Sequence, residues 1–229
     1  MIELPDGDGE LNRFSLTNQP RLVRSLTAVG PTTTDAIIGI TSPFSTPITE
    51  GLIGDDKELA AFWAAEKGCF RYDYLTFRCS FEPADRPIDK AWIEVALDPK
   101  TDGGPIAWSM APVQVSDKQT LTESAKLTGT FKLVGGEVSA TKEMDVNNWV
   151  VRSRMGQPTT PYWEFQATDS TPLDGDFKLQ IVVRTAAPLL AKGRITARAV
   201  IAAQTFLLFT LEAAREQSVG VDFELKPQP

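Results

Sequence analysis

The stretch CFRYDYLTFRCSF, residues 69–81, decides the fold class of this chain. One face of the stretch holds Leu75, Phe77, Cys79 and Phe81. The other face holds Tyr74, Thr76, Arg78 and Ser80. A period of two residues is that of a β-strand, because successive side chains of a strand point to opposite sides. We therefore predict a long strand whose first face lies in a core.

The same alternation recurs along the chain, in segments separated by Pro, Gly and Asp turns. The clearest examples are AWIEVALD (91–98), IAWSMAPVQV (106–115), DFKLQIVVRTA (176–186), GRITARAVIAA (193–203) and VDFELK (221–226). We count about nine or ten strands, and Pro112 predicts a bend or an edge in the second example. Helices do not alternate regularly with these strands, which disfavours a parallel sheet. The prediction is an all-β chain folded as an antiparallel two-sheet β-sandwich.

One short helix interrupts the pattern, and we place it at residues 55–67. Asp55 is suited to be the N-cap, with Glu58 three residues later as in a capping box, and Gly68 ends the run. Its apolar stripe consists of Leu59, Phe62 and Trp63. We expect this stripe to pack on a sheet.

The most regular stretch is LTGTFKLVGGEVSATKEM, residues 127–144, in which two alternating runs meet at Gly135-Gly136. A two-residue loop there places Leu133 opposite Val138 on the apolar side. Lys142 is the one charged residue on that side. The pattern predicts a long hairpin with a strongly specified register.

These elements suggest one domain. We assign residues 1–34 to an extended or poorly ordered N-terminal arm and residues 35–229 to a single β-sandwich. Pro43 and Pro47 exclude a central strand between them. For residues 204–216 the apolar run is uninterrupted, so that periodicity leaves strand and helix open.

The composition argues against several partners and chemistries. With 23 basic and 30 acidic residues the net charge is −7, which makes nucleic acid a poor partner. The chain has no histidine, and this excludes Ser-His-Asp and Cys-His catalysis. The acidic DGDGE at 6–10 departs from a calcium loop, because Leu11 and Thr17 occupy positions that need glycine and glutamate. We predict no enzyme activity, no cofactor and no metal.

The chain has only two cysteines, Cys69 and Cys79, which flank a predicted strand. Ten extended residues separate them by ~33 Å, beyond the reach of a disulfide. The N-terminus shows neither the basic segment nor the apolar segment of a secretory signal peptide. The longest apolar run, 199–211, is too short for a membrane-spanning helix. We therefore expect a cytoplasmic protein with reduced thiols.

Aromatic residues are the candidate contact residues. Trp92, Trp108 and Trp163 are the predicted ligand or partner contacts. Trp92 is the most interesting of them, because its neighbours Ile93 and Val95 point the other way. It is expected on an outer face or under the helix.

Three functions fit these observations. The first is a non-enzymatic protein-interaction or assembly module that binds a partner protein or self-associates. The second is a membrane-acting protein whose hairpin, residues 121–150, inserts after rearrangement into an oligomeric β-barrel, since each limb has the length of a spanning strand. The third is a hydrolase or binding protein for carbohydrate or another small ligand.

Overall fold

The computed structural model describes residues 9–17, 34–53, 57–84, 87–98, 102–116, 149–201, 204–206, 209–211 and 219–226. Two six-stranded antiparallel sheets pack face to face, which confirms the predicted all-β sandwich. The predicted hairpin lies outside the described residues except for Trp149 and Val150, and so does the predicted N-cap Asp55. No described helix is both long and apolar enough to cross a lipid bilayer.

Sheet A has the strand order β1-β2-β4-β10-β6, with β3 also paired to β4. Its strands are β1 (Leu11–Thr17), β2 (Thr34–Thr41), β3 (Phe44–Pro47), β4 (Phe70–Pro83), β6 (Ile106–Ala111) and β10 (Gly175–Ala186). Two helices precede β4, α1 (Glu50–Ile53) and α2 (Lys57–Glu66), and α2 agrees with the predicted helix.

Sheet B has the order β14-β11-β5-β9-β8-β7. Its strands are β5 (Ile88–Leu97), β7 (Gln114–Val115), β8 (Val151–Arg154), β9 (Tyr162–Gln166), β11 (Ala191–Ile201) and β14 (Val219–Leu225). A separate two-stranded sheet pairs β12 (Gln204–Phe206) with β13 (Phe209–Leu211). The described parts of residues 204–216 are therefore strand and not helix.

The core lies between the inner faces of the two sheets, as the alternation predicts. The predicted inward residues of β4, β5, β10 and β11 are all buried in one cluster. Three rings pack edge to face across the sheets, with centroids 5.1 Å apart for Phe81 and Phe165 and 5.5 Å apart for Phe81 and Phe177. Such aromatic contacts add to the stabilisation from apolar burial.

Helix α2 covers one end of the outer face of sheet A. Its residues Phe62 and Trp63 pack on the ring of Tyr72, with centroid distances of 5.9 and 5.8 Å. These residues belong to a second, smaller cluster that includes Tyr74 and Val182. The prediction that the helical stripe packs on a sheet is confirmed for the two described aromatic residues.

The N-terminal part of the chain differs in detail from the sequence-based picture. Within the predicted arm, Leu11–Thr17 is strand β1, which pairs along the whole of β2. Between the two prolines, β3 pairs only with β4 among the described strands, as an edge strand does. Between β2 and β3, the backbone N–H of Arg78 donates a hydrogen bond to the Thr41 hydroxyl oxygen, with 2.8 Å between the two heavy atoms. The hydroxyl there takes the place of the carbonyl that a continuous neighbouring strand would offer.

The chain changes sheet repeatedly. The connections that cross from one sheet to the other are β4–β5, β5–β6, β6–β7, β9–β10 and β10–β11. The crossing after β6 occurs at Pro112, which explains the predicted bend. Beyond β7, the described residues end at Ser116 and resume at Trp149. The two ends are adjacent, because the Val150 N–H donates to the Val115 carbonyl at 2.8 Å.

Candidate interaction surface

Trp163 is part of the core. Its side chain is fully buried and lies edge to face with Phe77, with 5.9 Å between ring centroids. Its indole N–H donates to the Pro112 carbonyl at 3.2 Å, so that the buried polar atom is satisfied. In this conformation Trp163 has no exposed surface with which to contact a partner.

Trp108 lies under α2 and helps to hold the helix. Its ring packs against Phe62 at 6.0 Å and Tyr72 at 5.8 Å between centroids. The Arg184 guanidinium lies 3.4 Å from the ring centroid of Phe70 and 5.0 Å from that of Trp108, which are cation–π contacts. Trp108 is therefore a helix-anchoring residue in this structure.

Glu66, at the end of α2, completes this anchor. Its Oε2 accepts one hydrogen bond from Arg184 at 2.9 Å and another from the Tyr72 hydroxyl at 3.2 Å. Burial raises the pKa of Tyr72 to about 12, with the Glu66 charge acting in the same direction and Arg184 opposing it. Tyr72 is thus neutral at physiological pH and acts as a hydrogen-bond donor.

A second polar group lies inside the sandwich at the same end. Arg71 Nε is 2.7 Å from Asp73 Oδ2, and Arg71 also donates to the Leu225 carbonyl of sheet B at 3.0 Å. Burial raises the pKa of Asp73 despite the adjacent guanidinium. The Arg71 contacts join β4 to β14, which gives this pair a structural role in holding the sheets together.

Trp92 lies elsewhere, on the outer face of sheet B. It is half-buried, and its cross-strand neighbours are Arg198 on β11 and Glu164 on β9. In the next row, Glu94 faces Tyr162, and Tyr162 faces Arg154 on β8. Because β5 and β9 are the two middle strands of sheet B, Trp92 and Tyr162 occupy the centre of this face.

We call this surface the B face and define it by the outward residues of β5, β8, β9, β11 and β14. They are Lys90, Trp92, Glu94, Ala96, Arg152, Arg154, Tyr162, Glu164, Gln166, Lys192, Arg194, Thr196, Arg198, Val200, Gly220, Asp222 and Glu224. None of them is buried, whereas α2 covers part of the opposite sheet. Each of these residues is therefore at least partly exposed in the described structure.

Ion pairs order the side chains of the B face. Arg198 pairs with Glu94 and Arg194 with Asp222, each at 3.6 Å, and Lys192 Nζ lies 2.6 Å from Glu224 Oε1. The hydrogen bond from Lys192 lowers the pKa of Glu224. Exposed pairs of this kind add little stability, so their main effect is to orient the charges.

On the β8 side, one carboxylate serves two arginines. The Glu164 Oε2 atom accepts a short hydrogen bond from Arg152 Nε and lies 3.3 Å from Arg154 Nε. The Arg152 guanidinium also stacks on Trp149 at 3.9 Å from the ring centroid. This cluster borders the Trp92–Tyr162 centre and was not predicted from the sequence.

The acidic and thiol side chains of the described residues are the groups that a metal site or a thiol nucleophile would need. No group of three or more Cys, Asp or Glu side chains in the described ranges could hold a metal ion. Both cysteines are free; Cys69 is exposed, and burial raises the pKa of the core thiol of Cys79. A thiol with a raised pKa is a poor nucleophile.

Comparisons with known proteins give only distant likenesses of shape. No family model matches the chain, and no curated protein matches it. A cohesin module from a family 33 glycoside hydrolase of Clostridium perfringens is 8% identical, with a TM-score of 0.35 over 69% of this chain and 87% of that one. The NetB toxin of Clostridium perfringens in its membrane-inserted form is also 8% identical, with a TM-score of 0.39 over 94% and 95% of the two chains. Such low scores support no inference about function, so the function must be argued from the B face itself.

Proposed function

We propose that this protein is a non-enzymatic interaction module that binds a partner protein through the B face. The observation that carries the proposal is the centre of this face, where half-buried Trp92 and Tyr162 each lie between an arginine and a glutamate on the neighbouring strands. Trp, Tyr and Arg are the residues most enriched in the hot spots of protein interfaces, and such hot spots lie near the centre of the interface. A sheet face with charged residues around an aromatic centre suits a protein surface, whereas small ligands prefer a concave site.

The setting we propose is the cytoplasm. Cys69 carries an exposed free thiol. Free thiols persist in reducing compartments, whereas secreted proteins tend to pair them. Measuring the fraction of free thiol in protein isolated from its native cells tests this part of the proposal.

The proposal is tested by removing the aromatic centre. Tagged protein is purified from its native cells as wild type, as the double variant Trp92→Ala/Tyr162→Ala, and as the control Phe44→Ala. Phe44 is an exposed aromatic residue on the outer side of sheet A. We expect a stoichiometric partner protein with wild type and with the control.

With the double variant we expect at least a tenfold lower yield of the partner, about 1.4 kcal/mol or more of lost affinity. Thermal unfolding of each variant shows that the sandwich is intact. An equal recovery of the same partner with the double variant contradicts the proposed role of the B face.

A further inference from the structure

The charge of the B face differs in sign from that of the whole chain. The face has six basic residues, Lys90, Arg152, Arg154, Lys192, Arg194 and Arg198, and four acidic residues, Glu94, Glu164, Asp222 and Glu224. The whole chain has 23 basic and 30 acidic residues. A positive surface on a negative protein is a local feature that attracts acidic groups.

The excess positive charge is concentrated beside the aromatic centre. Arg152 and Arg154 both pair with Glu164, so two positive charges share one negative charge. Nearly half of the Arg154 side chain is exposed, at 47%. A second carboxylate supplied by a partner would balance this cluster and could bind a guanidinium in the bidentate way that arginine favours.

From these observations, and on the basis of the proposed function, we infer that the B face binds an acidic protein segment. Its carboxylates contact Arg152 and Arg154, and an apolar side chain of the same segment packs on Trp92 and Tyr162. The four residues of the central row, Thr196, Glu94, Tyr162 and Arg154, span ~15 Å across four strands. An extended segment of about five residues covers that distance.

Other occupants fit the charges less well. Two copies of the B face would bring surfaces of the same sign together, which disfavours symmetric self-pairing. A nucleic-acid backbone carries a negative charge at every phosphate, which is far more charge than the excess of two positive charges on the B face can balance. A peptide combines carboxylates with apolar side chains in the required spacing.

A displayed peptide library identifies the preferred chemistry directly. Random peptides of about 12 residues are selected on the immobilised full chain, and enriched sequences are synthesised for affinity measurement by fluorescence anisotropy. We expect enriched peptides with an excess of Asp and Glu around an aromatic or aliphatic residue. Their affinity should fall steeply between low and high salt, because exposed charges are screened.

Charge reversal locates the contact. We expect the dissociation constant to rise at least about tenfold in Arg152→Glu/Arg154→Glu and about threefold in Arg154→Gln. Lys178→Glu, a single charge reversal on sheet A, is the control and should leave the affinity unchanged. The single variant Arg154→Gln removes only the charge of a side chain that is 47% exposed, so we expect it to fold. It keeps the test valid if the double reversal disturbs folding.

The outcomes separate this inference from the proposed function. The inference of an acidic partner is wrong if the enriched peptides have no excess of Asp and Glu. It is also wrong if their affinity for both arginine variants equals their affinity for wild type. If such peptides still lose affinity in Trp92→Ala/Tyr162→Ala, the interaction module stands and only the partner chemistry is wrong. If no enriched peptide depends on any B-face residue, both the inference and the proposed function fail.

Discussion

Replacing Glu66 by alanine should loosen helix α2 from sheet A. The carboxylate accepts hydrogen bonds from Arg184 and Tyr72, and the side chains of Glu66 and Arg184 are only 26% and 20% exposed. Glu66 is the last residue of α2, where a negative charge opposes the helix dipole. Its tertiary contacts must therefore outweigh an unfavourable local position.

The expected magnitude follows from the two lost partners. Leaving the Tyr72 hydroxyl unpaired costs about 1 kcal/mol, and leaving the Arg184 guanidinium without its carboxylate costs about 1.5 kcal/mol after allowance for its partial exposure. We expect Glu66→Ala to lower the free energy of unfolding by about 2–3 kcal/mol. Glu66→Gln retains an acceptor and should lose about half as much.

Urea denaturation at neutral pH, followed by far-ultraviolet circular dichroism, measures these differences. The matched control is Glu50→Ala, because the Lys67–Glu50 pair is long, at 3.8 Å, and both side chains are well exposed. That control should lose no more than about 0.5 kcal/mol. A loss in Glu66→Ala as small as in Glu50→Ala would refute the anchoring role of the carboxylate.

Three further predictions concern the sandwich, and a fourth concerns lipid membranes. In Gly193→Val the new side chain clashes with the Phe223 ring, because a Cβ there would lie 2.5 Å from it. We expect the free energy of unfolding to fall by about 1–3 kcal/mol and hydrogen exchange in β14 to become faster. Gly156→Ala, where the Cβ enters open space, is the control and should change little. The pKa of Tyr72 is raised from 10.0 to about 12, so the folded state holds the phenol proton more tightly than the unfolded state. The free energy of unfolding should therefore fall between pH 10 and 12, and it should fall more in wild type than in Tyr72→Phe. Equal dependence on pH in the two proteins contradicts this. A short Gly-rich turn in place of residues 118–147 should leave the sandwich folded, because the chain ends are hydrogen-bonded neighbours; loss of cooperative unfolding would refute this. The full chain should release no dye from lipid vesicles, in contrast to the membrane-acting alternative.

The inner faces of the sheets could be predicted from the sequence because burial imposes a strict alternation. Leu75, Phe77, Cys79 and Phe81 follow that rule, and all of them are buried. The outer residues Tyr72 and Tyr74 show the limit of the rule, since they are as buried as the core. Helix α2 packs on Tyr72, and Tyr74 belongs to the same apolar cluster. The alternation along one strand does not show which other element packs on its outer side.

The candidate site was only partly predictable for a related reason. For Trp92 the sequence left an outer face and a place under the helix open, and the structure places it on the outer face of sheet B. Trp108 and Trp163 show the same residue type in two other environments, under the helix and in the core. Tyr162, Arg152 and Arg154 join Trp92 only through the pairing of β5, β9 and β8, and strand order cannot be obtained from periodicity.

The repeated crossing between sheets has a consequence for synthesis on the ribosome. The long central strand β4 pairs with β10, and β5 pairs with β11, in each case roughly 100 residues later in the chain. At about 5–20 residues per second, the early strands emerge some 5–20 s before their partners. During that interval the apolar sides of β4 and β5 are available to chaperones, and folding of the sandwich must follow the emergence of its last third.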